Sequence, residues 1–229
     1  MENYLQRNKQ FWEHGYYAPN VDHPIFRFYG RILKSEFNLD GSGGENLLDY
    51  GCGQGAAVNY FGQMGFSSYG VDISEADIEY AKNRYRHISQ NFNTIDPVPA
   101  VDNMFFDQKY KIITAVQSLY YYSDTDLSIR MENLSSILDD NGIFYATMIG
   151  EACEAHYENA EPAMDGLSKI ISGVARSGEG EHYMNFIKDE EELKHKFSMF
   201  QPIHIGFYSE KFRSDEGVSH HFTFVGKKK

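Results

Sequence analysis

The chain has 229 residues, 41% of them hydrophobic, and a formal net charge of −12. That length fits one domain over 1–229 with room for an insertion, and the apolar share is enough for a real core. The acidic balance argues against binding bulk DNA or RNA, whose phosphates it repels. No run approaches the ~18 apolar residues of a membrane span, and the N-terminus lacks the apolar centre of a signal peptide. Cys52 and Cys153 are too few for a disulfide framework, so a reducing cytoplasm is the expected compartment.

In chain order, residues 1–21 are polar and aromatic and read as an irregular or partly helical arm. His23-Pro24 precedes an amphipathic helix with Ile25, Phe28, Ile32, Leu33 and Phe37 at helical spacing. The whole of 1–44 reads as a lid, closed by the flexible "GSGG" at 41–44. A buried strand over 45–50 leads to a helix over 55–64. "SSYGVDIS" gives a second strand ending at Asp72, with Ser74 as N-cap of the next helix. A short strand toward Asp96, the β-branched strand 110–116, a helix over 125–138 and the Asn141-Gly142 turn into "IFYATMI" follow. This alternation predicts a mostly parallel sheet with helices on both faces. Residues 151–184 have weak periodicity and read as a partly helical insertion flanking the cleft. A helix over 188–199 and two strands around "RSDEG" predict an antiparallel hairpin at the end.

The stretch "LLDYGCGQGA" at 47–56 carries the ligand signal. Alternating glycines let the backbone approach a ligand closely. Gly51-x-Gly53-x-x-Ala56 fits a dinucleotide pattern. Asp49-x-Gly51-x-Gly53-x-Gly55 fits a cradle for S-adenosylmethionine (SAM). In either case Asp72, at a strand end, can take both hydroxyls of a ribose. Asp49 separates the two: a carboxylate beside a pyrophosphate is a like-charge contact, whereas SAM brings an ammonium and a sulfonium. The terminal hairpin and the polar-aromatic corner "QSLYYYSD" also favour SAM.

Together these motifs resemble class I SAM-dependent methyltransferases, from about Glu45 to Ser123 strongly and to Lys227 in outline. "LLDYGCGQG" resembles the family's first motif, "VDIS" its ribose-binding strand end, "IITAVQSLYYYSD" its fourth-strand corner and "LSSILDDNGIFYATM" its helix-to-strand passage. The resemblance implies a seven-stranded sheet with the last strand inserted antiparallel. It also implies that Gly51, Gly53 and Gly55 face the methionine part, Asp49 the ammonium, Asp72 the ribose and Ile73 the adenine. By spacing Asp96 matches the acid that caps the adenine amino group, with Asp102 as rival, and Gln117 matches a backbone contact to the cofactor.

Methyl transfer asks mainly for a positioned nucleophile, exclusion of water and, for an amine or hydroxyl, a base. Such groups belong beyond the carboxyl ends of the strands. Tyr120, Tyr121 and Tyr122 follow the fourth strand, and Glu151, His156 and Tyr157 the fifth. His156 is the preferred base because an ordinary histidine titrates near neutrality. Trp12, His14, Tyr16 and Tyr17 could close over the cofactor from the arm. No metal-ligand spacing is present. The expected reaction is methylation of an oxygen or nitrogen of a polar small molecule such as a sugar or nucleotide-linked sugar. A nucleic-acid acceptor is disfavoured by charge and by the absence of a "DPPY" corner. A protein methyltransferase, an NAD-dependent oxidoreductase and a non-catalytic partner subunit remain as alternatives.

Overall fold

In the computed structural model, which describes residues 3–13, 20–172 and 180–229, the chain opens with helix α1 (Tyr4–Glu13). Helix α2 (His23–Arg27) carries Pro24 in its first turn, where a missing N–H costs nothing, and continues into a π-helical turn over Phe28–Lys34. The amphipathic helix expected there is therefore present but widened, and the Ser35 hydroxyl takes the Gly30 carbonyl at 2.6 Å.

The βα alternation follows as β1 (Asn46–Tyr50), α3 (Ala56–Gln63), β2 (Ser67–Asp72), α4 (Glu75–Arg84), β3 (Phe92–Thr94), β4 (Tyr110–Ala115), α5 (Asp124–Ile137) and β5 (Leu138–Ile149). Ser74 and Ser123 start α4 and α5 as N-caps, accepting from Asp77 N and Asp126 N at 3.3 and 3.2 Å. Acidic residues in both first turns add to the favourable end of the helix dipole. The expected turn at Asn141 lies inside β5: Asn141 takes φ 58°, and pairing with β4 steps from Tyr110↔Leu138 to Ile112↔Ile143.

Among the described residues of the insertion, helix is confined to the single turn α6 (Glu154–Tyr157). The insertion is a three-stranded antiparallel sheet of β6 (Ala160–Pro162), β7 (Leu167–Ser172) and β8 (Gly180–Asn185). Asp165 and Gly166, both at positive φ, turn β6 into β7. Helix α7 (Glu190–Lys196) and the hairpin β9 (Phe200–Glu210) and β10 (Ser219–Lys228) complete the chain.

The main sheet has the order β3-β2-β1-β4-β5-β10-β9, with β10 antiparallel to both neighbours and the rest parallel. Period-two alternation assigns its faces. Leu48, Ile113, Phe144 and Phe224 pack on Leu127, Met131 and Leu134 of α5 and on Leu193 of α7. Leu47, Ile112, Ile143 and Val225 pack on Ile25, Phe28, Leu33 and Phe61 on the other side. Strand order reverses between β1 and β4, which opens a crevice above their carboxyl ends.

Candidate active site

That crevice is a cleft of about 1220 Å³, open mouth included. Its floor is the turn after β1, where Gly51, Gly53 and Gly55 stand at φ 76°, 49° and 79°. The three differ in what a side chain would meet. A Cβ on Gly51 would fall 2.3 Å from Ser118 Cβ, and one on Gly55 2.6 Å from the Phe92 ring. One on Gly53 would meet nothing within 4 Å, because it points into the cleft. Packing thus demands glycine at 51 and 55, and close approach of a ligand is left to Gly53.

Asp72 braces this turn: Oδ2 accepts from Gly53 N at 2.8 Å and Oδ1 from Ser74 N at 2.9 Å. Asp49 is buried and accepts from Thr114 Oγ1 at 2.6 Å. Burial pushes the Asp49 carboxyl up to about 7, and the charges of Asp72 and Asp22 add to the shift. Burial likewise pushes Asp72 up to about 6, against the two amides that favour its charged form. Asp22 and Asp77 also line the cleft, and among its described lining residues there is no Lys, Arg or His. Four carboxylates without a cation make a site that favours positive charge.

The far wall begins at Gln117, whose φ of 53° is strained for a side-chain-bearing residue. Two bonds hold it there: its N–H donates to Thr147 Oγ1 at 2.8 Å and its Nε2 to the Tyr208 hydroxyl at 3.2 Å. Tyr121 lines the cleft and meets Trp12 of α1 edge-on, 5.4 Å between centroids. Below it the Tyr50 and Tyr122 hydroxyls lie 2.6 Å apart, with the buried Arg130 guanidinium over their rings.

Helix α1 closes the remaining side with Leu5, Asn8 and Trp12. Asn8 is buried and fastens it there. Its Nδ2 donates to the carbonyls of Tyr121 and Tyr183 at 3.0 Å each, and its Oδ1 accepts from Tyr183 N at 2.8 Å. Removing this side chain orphans three part-buried backbone groups. Asn8→Ala should cost about 2 kcal/mol and lower Tm by roughly 4–8 °C, read by thermal unfolding. An unchanged Tm would mean that α1 is held by its apolar contacts alone.

Of the site residues expected from sequence, Asp49, Gly51, Gly53, Asp72, Ile73, Gln117 and Tyr121 share this cleft. Others do not. Gly55 serves packing, as above. Asp96 is exposed and its Oδ1 accepts from Val98 N at 2.8 Å, a turn carboxylate, while the flanking Ile95 and Pro97 line the cleft. Asp102 is exposed and outside the lining. Tyr120 is buried against His221, 5.9 Å between centroids, with its phenol raised by burial. His156 is half-buried and faces His182 across 6.4 Å, outside the lining, because the insertion folds as a sheet behind α1. Tyr17, with His14 and Tyr16, lies outside the described residues. Sequence reading missed Asp22, Asn8 and Tyr208. Among the described residues no His, Cys, Asp and Glu group is arranged to hold a metal ion, and no helix is long and apolar enough to cross a membrane.

The family model described as a methyltransferase domain matches residues 20–212. A protein of Pelagibacter ubique named ubiquinone biosynthesis O-methyltransferase is 30% identical over 111 residues, 48% of this chain and 44% of that protein. The mRNA cap guanine-N(7) methyltransferase of Schizosaccharomyces pombe is 25% identical over 112 residues, 44% of this chain and 31% of that one. The match thus spans less than half of either relative's length. In structure, a SAM-dependent methyltransferase from Methanosarcina mazei superposes with a TM-score of 0.67 at 17% identity, over 91% of this chain and 98% of that one. That last likeness is one of fold.

Proposed function

The chain belongs to the methyltransferase-domain family, and from that premise we propose that it transfers a methyl group from SAM to an oxygen or nitrogen of a small polar molecule. The observation that carries the reading is the pairing of a glycine turn open at Gly53 with a buried carboxylate, Asp49, and a half-buried one, Asp72, neither with a cation among the causes of its shift. A molecule with an ammonium, a sulfonium and a ribose answers both needs. A pyrophosphate would place negative charge in the same crevice, which weighs against a dinucleotide.

SAM supplies an activated methyl group, so the chain's own work is to bind, orient and exclude water. In this reading Asp49 holds the ammonium and Asp72 the ribose hydroxyls, and Gly53 lets the backbone approach. Ile73 lies against the adenine, and Gln117 and Tyr121 wall the side where the acceptor enters. Helix α1, through Leu5 and Trp12, covers the cleft from solvent. The net charge argues against a long RNA acceptor. The named cap methyltransferase keeps a nucleotide acceptor among the compounds to be assayed.

Calorimetry tests this reading. Asp72→Ala should weaken SAM binding by about 1–3 kcal/mol, roughly 5- to 150-fold, through loss of a charged acceptor and of the brace on Gly53. Native SAM affinity in a folded Asp72→Ala protein, or no SAM binding by the wild type, would refute it.

A further inference from the structure

Tyr50 and Tyr122 both line the cleft, both are buried, and their hydroxyls lie 2.6 Å apart. Two hydroxyls carry two protons, and the bond between them uses one. Neither hydroxyl donates to any other described residue, so the second proton has no acceptor in the protein among those residues. A cation stands behind the pair. Arg130 is fully buried, with its guanidinium carbon 5.1 Å from the Tyr50 ring centre and 5.9 Å from that of Tyr122. Its Nη1 donates to the side chains of Asn133 and Asn103 at 2.9 and 3.4 Å, its Nε has no partner, and among the described residues no carboxylate pairs with it. A buried guanidinium without a carboxylate is costly, and the aromatic faces around it offset only part of that cost. Its charge also makes the free O–H proton of the pair a stronger donor.

The strand narrows what this donor meets. Tyr50 packs in one cluster with Leu48, Phe105 and Tyr122, and successive side chains of β1 point to opposite faces, so Asp49 points the other way, to Thr114. The amino-acid end of SAM goes with Asp49, which leaves the nucleoside end for the two tyrosines. The ribose hydroxyls donate to Asp72, and the strong acceptors that remain are the ring nitrogens of the adenine. The cleft wall at Ile95 and Pro97 offers them few donors. The Ile95 N–H is used by Asp72 O at 2.9 Å and the Val98 N–H by Asp96 Oδ1 at 2.8 Å, and Pro97 has none, so of residues 95–98 only Asp96 N remains.

We propose that the Tyr50–Tyr122 hydroxyl pair donates a hydrogen bond to a ring nitrogen of the cofactor's adenine and so selects the purine. This rests on the SAM-cleft reading above. Arg130 is the positioning residue of the pair: it touches no ligand and acts through the two hydroxyls. The recognition that sequence spacing assigned to Asp96 is thereby moved to the corner between β4 and α5, where Tyr122 stands.

Calorimetry on the full chain tests this with S-adenosylhomocysteine (SAH), with its 1-deaza, 3-deaza and 7-deaza analogues, in which one ring nitrogen becomes a C–H, and with its decarboxylated analogue. The wild type should bind SAH about tenfold more tightly than one of the deaza analogues. The double variant Tyr50→Phe/Tyr122→Phe, which keeps both rings, should weaken SAH about tenfold and change that analogue by less than about twofold. Arg130→Met should narrow the same ratio and Arg130→Lys should restore it, while the tyrosine variants decide the proposal where Arg130→Met does not fold. Tyr29→Phe, whose hydroxyl bonds Asp40 O outside the cleft, is the control and should change none of these affinities. Native SAH affinity in the double variant, or equal losses for SAH and every deaza analogue, would overturn the proposal. So would a loss that vanishes only for the decarboxylated analogue, since the pair would then hold the carboxylate. An unchanged ratio in a folded Arg130→Met chain would overturn the part given to Arg130. No SAH binding by the wild type would overturn the cofactor reading itself, and this proposal with it.

Discussion

Gly53→Val should abolish SAM binding, by more than about 100-fold, in a protein that keeps its fold. Two costs combine. Gly53 has φ 49°, a backbone angle that a β-branched residue adopts only under strain. Its side chain would also project into the cleft, where no protein atom lies within 4 Å to be displaced. The neighbouring glycine gives the contrast. Gly55→Val would drive a side chain into the Phe92 ring and Ala81, 2.6 and 3.0 Å from the new Cβ, and should lower Tm severely or prevent folding. Calorimetry and thermal unfolding on both variants check the pair. Native SAM affinity in Gly53→Val would make the turn purely structural.

SAM affinity should rise steeply with pH between about 5 and 7. Asp49 and Asp72 are raised to about 7 and about 6, each first by burial. An ordinary unfolded aspartate titrates near ~4. The folded chain without ligand therefore keeps protons that the unfolded chain has released. The stability tied to these two groups is fully present below about pH 4 and is lost as pH rises through 6 and 7. A cationic ligand favours the ionised carboxylates, so binding releases their protons. Each proton released adds about tenfold in affinity per pH unit, giving on the order of 100-fold between pH 5 and 7. Titrations in buffers of different ionisation heat should show proton release near pH 6, and Asp49→Asn should reduce it. A flat affinity over this range, with no proton release, would mean that neither carboxylate answers a cationic cofactor.

Much of this site was legible because its parts are short-range in sequence. The glycine turn, Asp49 two residues before it and Asp72 at the next strand end are fixed by one βαβ passage. Strand alternation at Leu47/Leu48 and Ile112/Ile113 likewise reports the two faces directly. The misreadings have both local and long-range causes. The Asp165-Gly166 turn is a local hairpin signal, but the weak patterning of β6 and β7 concealed it, and His156 was placed at the cleft because it follows the carboxyl end of the fifth strand. Asp96 matched by spacing, yet a residue before Pro97 at a turn is already occupied by Val98 N. Asp22, Asn8 and Tyr208 carry no motif. They matter because α1 docks on β8 and because the Tyr208 side chain of β9 reaches Gln117 beyond the end of β4, contacts that only the tertiary fold creates.

The most direct test of the account is the electron density of a crystal grown with saturating SAH. SAH should lie in the crevice between β1 and β4, with its ribose hydroxyls on the Asp72 carboxylate, its amino group beside Asp49 and its backbone-facing side against Gly53. SAH bound elsewhere, or lying in this cleft with its ribose away from Asp72, would contradict it.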